Sequence, residues 1–416
     1  MKGRKIELLS PAGSFDSLQA AINAGADAVY FGVEQLNMRT RSSRSFQLSD
    51  IKSIANICQA NHIKSYITLN TVMYEHDMQL LKMILNEVKK NKIDAVIASD
   101  FAVFEFCSQL NIPLHISTQA NISNIESVKF YSRFADVIVL SRELTLKQVK
   151  NITSEIKRKK IKGPSGELVK IEIFVHGALC MAISGKCYMS LHTQNASANR
   201  GACVQNCRRP YLVKDAESGE ELMIENEYIM SPKDLCTIDI IDQVIDSGAE
   251  ILKIEGRTKG ADYVQVVTQC YREAIQSVYD RKFTKEKISL WKTALSKVYN
   301  RGFWEGYYMG RKTGEWTPHP GSAATEQKIY IGKGTRYYPK IRVGEFIIES
   351  GKLKVGDTLM VTGPQCGMVK EKVELLQING IPGTEAVKGD KITFPFATKV
   401  TGNDKLYKIV ETLRHA

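Results

Sequence analysis

The sequence predicts an α/β protein in which a (β/α)8, TIM-barrel-like domain precedes a small all-β barrel. Three observations carry this. Short β-rich apolar runs alternate with helical periodicity over the first three quarters of the chain. One helix-end, turn and strand phrase recurs, as Ala24-Gly-Ala-Asp-Ala-Val-Tyr-Phe-Gly32, Ile93-Asp-Ala-Val-Ile-Ala-Ser99 and Ser247-Gly-Ala-Glu-Ile-Leu-Lys-Ile-Glu-Gly256. From Lys328 the texture changes to short alternating strands broken by Gly and Pro.

The apolar runs number eight, at residues 6–10, 26–31, 64–69, 95–98, 114–117, 137–140, 171–175 and 251–254. Amphipathic segments lie between them at 14–23, 48–59, 77–89, 123–134, 145–157 and 233–246. Strands alternating with helices require a parallel sheet, and eight strands suit a closed barrel. A doubly wound sheet is the alternative. Against it, Ser10-Pro-Ala-Gly13 stands after the first run where a dinucleotide-binding fold places Gly-x-Gly-x-x-Gly. The catalytic domain is expected over 1–316, a Pro/Gly/Ser/Ala linker over 317–325, and the all-β domain over 326–416, with strands at 328–332, 340–348, 358–362, 370–378 and 390–394.

Lys and Arg outnumber Asp and Glu by 57 to 45, a net +12 that favours a polyanionic partner without identifying one. No apolar stretch of about 18 uncharged residues is present and no signal-peptide region precedes the first run, so a soluble, cytoplasmic protein with no membrane partner is expected.

In a (β/α)8 barrel, function sits at the C-terminal ends of the strands. After the seventh run, an insertion over 177–232 replaces a βα loop of roughly two to six residues. Cys180, Cys187, Cys203 and Cys207 fall inside it and Cys236 just beyond, in Ser231-Pro-Lys-Asp-Leu-Cys236, at the expected start of the following helix, where a helix N-terminus would favour a thiolate. Clustered cysteines in a reducing compartment point to metal or catalysis. Zinc sites prefer two close pairs, whereas an iron-sulfur cluster tolerates the irregular spacing x6, x15 and x3 found here. Unligated thiols in an irregular loop are the plain alternative. Cys58, Cys107, Cys270 and Cys366 are scattered among apolar neighbours and read as buried hydrophobes.

Phe174-Val-His-Gly-Ala-Leu-Cys-Met-Ala-Ile-Ser-Gly-Lys-Cys-Tyr-Met-Ser190, with Arg200-Gly-Ala-Cys-Val-Gln-Asn-Cys-Arg208, resembles the signature of the collagenase-like peptidase family, peptidase family U32. Supporting segments are Glu7-Leu-Leu-Ser-Pro-Ala-Gly13, Ser117-Thr-Gln-Ala-Asn121 and Leu252-Lys-Ile-Glu-Gly-Arg257. Within that family, length and layout resemble the prephenate-dependent tRNA hydroxylases. The resemblance implies a 4Fe-4S cluster, prephenate as co-substrate, tRNA as partner, oxygen-independent formation of 5-hydroxyuridine at the wobble position, and a possible homo- or hetero-dimer with a paralogue. Cys180, Cys187 and Cys203 match cluster ligands, and the fourth is Cys207 or Cys236.

Other candidates follow from position. Lys253, Glu255 and Arg257 alternate along the eighth run and form either an anion and proton-transfer site in the barrel mouth or a solvated rim. Arg39, Arg41 and Arg44 could clamp a dicarboxylate or a phosphate, or form an exposed loop. His176 ends the seventh run, as a proton donor to substrate or as a satisfied core residue. Asn70, Gln119 and Asn121 are amides suited to reading a pyrimidine edge, or turn residues. The run Lys157-Arg-Lys-Lys-Ile-Lys162 reads as a solvated helix end.

Competing functions are an rRNA hydroxylase, a cluster-carrying RNA-binding protein without activity, and a protease. The chain offers no His-Glu-x-x-His and no Gly-x-Ser-x-Gly, and a Cys180–His176 dyad would leave the other clustered cysteines unexplained.

Overall fold

The N-terminal strands, in chain order, are β1 (Glu7–Pro11), β2 (Ala28–Phe31), β3 (Lys64–Leu69), β4 (Ala95–Ala98), β5 (Leu114–Ile116), β6 (Val137–Val139), β7 (Lys170–Gly177), β8 (Asp234–Cys236), β9 (Ile251–Ile254) and β10 (Phe303–Trp304). In this computed structural model, which describes residues 6–38, 46–209, 214, 216–219, 230–311, 314–317 and 321–412, β1 to β7 pair in parallel, each with the next. Strand β9 then pairs in parallel with both β7 and β1 and closes an eight-stranded barrel. All eight anticipated runs are these strands, with ends moved by at most a few residues.

Helices flank the barrel: α1 (Phe15–Asn23), α2 (Asp50–Ala60), α3 (Met78–Lys90), α4 (Phe101–Leu110), α5 (Ile125–Tyr131), α6 (Leu146–Lys159), α7 (Met189–Gln194), α8 (Ile241–Asp246), α9 (Ala261–Tyr279) and α10 (Lys285–Lys297). Local chemistry starts several of them. Ser14 accepts the Ser17 amide and Thr145 the Gln148 amide, each completing a reciprocal cap. The apolar faces then pack on the outside of the sheet, as Ile51, Ile54 and Cys58 of α2 and Leu81, Ile84, Leu85 and Val88 of α3 do.

The segment 233–246 departs from expectation. It begins as strand β8, antiparallel to β7 with Gly177 opposite Leu235, then makes a 3-10 turn over Ile238–Ile240 and becomes α-helical at Ile241. Pairing with β7 on one side and with β10 on the other supplies hydrogen bonds that override local helix propensity.

Inside the barrel, Leu9, Tyr30, Tyr66, Ile97, Val137 and Ile251 form one buried cluster. Period-two alternation along β9 turns Lys253 inward with Ile251, and its Nζ meets Glu172 of β7 at 2.7 Å, both side chains buried. Burial pushes the Glu172 carboxyl up while Lys253 opposes the shift. The pair bridges the seam where the ring closes.

Residues from Glu326 onward form an antiparallel eight-stranded sheet and a two-stranded one. The strands are β11 (Glu326–Tyr338), β12 (Val343–Ile348), β13 (Lys352–Lys354), β14 (Thr358–Gly363), β15 (Gly367–Lys372), β16 (Gln377–Ile378), β17 (Ile381–Pro382), β18 (Glu385–Val387), β19 (Lys391–Pro395) and β20 (Lys405–Glu411). Phe346, Leu359, Ile392, Phe394, Phe396 and Leu406 fill a core separate from that of the barrel. This unit docks on α1 and α9 through Met360 and Met368 against Ala20 and Ala261. The approach is close: Gly367 has φ +68°, and a Cβ there would lie 2.8 Å from the Ala20 backbone nitrogen. The chain between the two units is tied to the barrel, since Ala323 donates to the Asn300 carbonyl and Thr325 to that of Ser296. Among the described residues no helix is long and apolar enough to cross a membrane.

Replacing Lys253 with Met should cost about 3–5 kcal/mol in urea unfolding, because Glu172 is left as an uncompensated buried acid. Adding Glu172→Met should restore most of that loss. Equal stability of Lys253→Met and wild type would remove the pair from the closing seam.

Candidate functional site

Where β7 ends, the chain leaves the barrel and crosses its C-terminal face before returning as β8. Cys180, Cys203 and Cys207 line one cleft of about 90 Å³ with Met38, Gln119, Arg142, Arg208 and Arg301. Cys187 does not line this cleft, although its charge, like those of Cys180 and Cys203, acts on the Cys207 thiol. Desolvation raises the Cys207 pKa, the Arg208 guanidinium lowers it, and the other three thiols raise it again. The Cys203 sulfur accepts from the Gln205 amide at 3.4 Å and from the Ser190 hydroxyl at 3.9 Å. Among the described residues no group of three His, Cys, Asp or Glu side chains is placed to hold a metal ion. A cubane asks for a wider arrangement, because each thiolate binds a different iron and the sulfurs stand around the whole cluster.

Cys236 is elsewhere. It is 6% exposed in β8, and its sulfur accepts from the Tyr271 hydroxyl of α9 at 3.9 Å. Burial pushes its thiol up to about 11. Cys236 ends a strand, and a single 3-10 turn starts at Ile238; the Ile238 amide lowers the thiol as a helix start would, but burial outweighs it. His176 sits opposite Cys236 in the ladder and shares its fate. The β7–β9 register shifts between Phe174 and His176, which breaks the alternation and turns the imidazole toward α9. There it packs on Tyr263, Tyr271 and Phe303, with Nδ1 3.4 Å from the Tyr271 hydroxyl. Burial lowers its pKa to about 3, so it is a neutral core histidine and not a proton donor to the cleft.

The β9 residues converge on the barrel mouth. Arg257, 6% exposed, donates to Asn37 at 3.0 Å and to Thr68 at 2.7 Å. Gly32 makes room for it: a Cβ there would stand 2.4 Å from the guanidinium. Glu255 accepts from the Tyr30 hydroxyl at 3.2 Å. The solvated-rim alternative for Lys253, Glu255 and Arg257 therefore does not hold, since all three are buried.

Asn70 and Gln119 face a second cleft of about 160 Å³, closed on its far side by Ser184, Gly185, Lys186 and Asn199 of the excursion. They hydrogen-bond each other at 3.1 Å. Met38, Gln119, Ser184 and Gly185 line both clefts, which thus adjoin each other. Asn121 does not join them in the same way. It has φ +54°, donates to the Gln119 carbonyl at 2.7 Å, and serves as a turn residue. Arg39, Arg41 and Arg44 lie outside the described residues.

Several site residues went unanticipated. Arg208 donates to the Leu179 and Pro232 carbonyls, both at 2.6 Å, and to the Ser231 hydroxyl, pinning the start of the excursion to its end. Arg142 donates to the Ala178 carbonyl at 2.8 Å and stacks on Phe174 at 3.8 Å. Lys259 is partly buried over the Tyr299 ring; desolvation first, and then Arg301, lower its pKa to about 7, with Asp234 and Glu255 opposing. The rule of looking just past each strand would have found Arg142 and Lys259. Arg301 carries no local signal.

Comparison with known sequences supplies the remaining findings. Residues 13–318 match the family model described as peptidase family U32. A protein of Porphyromonas gingivalis named collagenase is 51% identical over 98% of this chain and 99% of its own length. The tRNA hydroxylation protein P of Helicobacter pylori is 36% identical over 74% of this chain and 72% of its own. An Escherichia coli 23S rRNA 5-hydroxycytidine synthase is 33% identical over 75% of this chain and 46% of its own.

The buried histidines make stability depend on pH. His115, like His176, has its pKa lowered to about 3 by burial. Unfolded histidine titrates near 6.5, so between about pH 6.5 and 3 the unfolded chain binds more protons than the folded one. Stability should therefore fall as pH drops through that window. His176→Phe should flatten the decline when urea midpoints are followed from pH 7 to 4, and an unchanged slope would contradict its neutral burial.

Proposed function

The chain belongs to peptidase family U32, and from that premise we propose that it is an iron-sulfur enzyme that hydroxylates tRNA. The product is 5-hydroxyuridine at the wobble position, formed without molecular oxygen and with prephenate as co-substrate. One observation carries the reading: Cys180, Cys203 and Cys207 line one cleft, with Cys187 acting electrostatically on Cys207, beside a cleft walled by Asn70 and Gln119. Soft thiolates in a group of four suit a 4Fe-4S cluster, with Cys207 as the fourth ligand in preference to Cys236. Such a cluster would supply electron transfer or activation of a bound oxygen-bearing group at that face.

The protein's own residues account for binding and orientation. Arg142, Arg208 and Arg301 bring positive charge to the cysteine cleft, suited to a dicarboxylate such as prephenate and to the anionic cluster itself. The amides of Asn70 and Gln119 can exchange their mutual hydrogen bond for the donor and acceptor edge of a uracil. Two relatives carry RNA hydroxylation in their names, on different RNAs, so 23S rRNA is the second substrate to test.

A protease reading draws on the collagenase name of the relative at 51% identity. A cysteine protease needs a base at its thiol. His176 is directed at Tyr271 and is not available to Cys180.

Protein purified without oxygen should carry about four iron and matching sulfide per chain. Cys180→Ala and Cys207→Ala should lose both, and Cys236→Ala should keep them. Nucleoside mass spectrometry of tRNA and rRNA from cells with and without the gene should find 5-hydroxyuridine in tRNA dependent on the cluster-bearing protein. Zinc in place of iron, or gelatin hydrolysis with unchanged RNA, would overturn the proposal.

A further inference from the structure

The loop after β3 carries an aromatic group that the site described above does not use. Tyr74 is 50% exposed, although neighbouring residues hold it firmly. Its backbone N–H donates to the carboxylate of Asp77 at 2.7 Å. The same carboxylate, fully buried, takes two hydrogen bonds from Arg200, whose guanidinium also donates to the Val72 carbonyl at 2.7 Å. Fixed in this way, the guanidinium lies 4.3 Å from the Tyr74 ring centroid. His76 stands edge-on to the ring at 5.8 Å, with its side chain largely in solvent. The arginine comes from the cysteine excursion, three residues before Cys203, and Val72 is tied to that excursion a second time, its amide donating to the Asn199 carbonyl at 3.1 Å. Val72 and Asn199 both line the amide cleft.

We propose that Tyr74, backed by Arg200, is a stacking platform for an unpaired RNA base adjacent to the one that enters the cleft between Asn70 and Gln119. This rests on the RNA reading above and goes further by naming a second nucleotide subsite. An exposed aromatic ring costs little conformational entropy on binding when its backbone and one neighbour are already fixed, and every base presents a π-face to it. The basic balance of the chain and the Lys186 ammonium at the cleft suit a polyanionic strand passing from one subsite to the other. Anchoring the loop requires Arg200, Asp77 and the Val72 carbonyl, but not the tyrosine ring, so the ring is free to serve a ligand.

The test is fluorescence anisotropy with the iron-loaded full chain and two probes, a short RNA hairpin whose unpaired loop contains uridine and a blunt RNA duplex of equal length. Tyr74→Ala should weaken hairpin binding roughly tenfold and leave duplex binding and iron content as in wild type. Tyr74→Phe, which keeps the ring, should bind like wild type. If wild type binds the hairpin and Tyr74→Ala binds it equally well, or loses hairpin and duplex together, the platform is refuted while the RNA reading stands. If wild type fails to bind the hairpin at all, both fall.

Discussion

Closure of the barrel at the β7–β9 seam is the constraint on which the rest of the structure depends. Strand β9 must pair with β1 on one edge and β7 on the other, which closes the ring of eight parallel strands. The seam carries a buried ion pair, Glu172 with Lys253, whose desolvation is offset only if the two strands hold their register. Beyond the pair the register slips between Phe174 and His176. That slip sends His176 and Cys236 outward to α9 and lets the chain continue across the barrel mouth as the cysteine excursion. A local irregularity in one ladder thus separates a structural layer from a functional one.

The functional face is assembled by charge as much as by packing. Arg208 and Arg142 hold three backbone carbonyls around the entry to the excursion, and Arg200 ties its far side to the β3 loop through Asp77. Arg142 and Arg208, with Arg301, also line the cleft that holds Cys180, Cys203 and Cys207. A segment with little apolar core of its own is therefore ordered by charge-assisted hydrogen bonds to main-chain oxygens, each stronger than a neutral one.

Much of this was readable from the chain. The eight barrel strands were found from short apolar runs because a strand buried on both faces needs a continuous apolar stretch. The cleft-facing residues Cys180, Cys203, Cys207, Asn70 and Gln119 and the mouth residues Lys253, Glu255 and Arg257 were found because the fold puts strand ends on one face. Cys236 was expected at a helix start; it ends strand β8 by pairing with β7, and only a single 3-10 turn follows it. His176 was left between two readings, and only the bulge decides between them.

The sequence by itself determined the fold class and marked the cysteine-rich insertion as the candidate site, since hydrophobic period and cysteine spacing are local and survive without three-dimensional context. Only the tertiary structure decided which cysteines stand together, which way His176 points, and that Arg301 and Arg200 belong to the site. Those outcomes depend on ladder register and on hydrogen bonds between residues more than a hundred positions apart, such as Arg200 with Asp77, |i−j| = 123, and no local pattern encodes such distances.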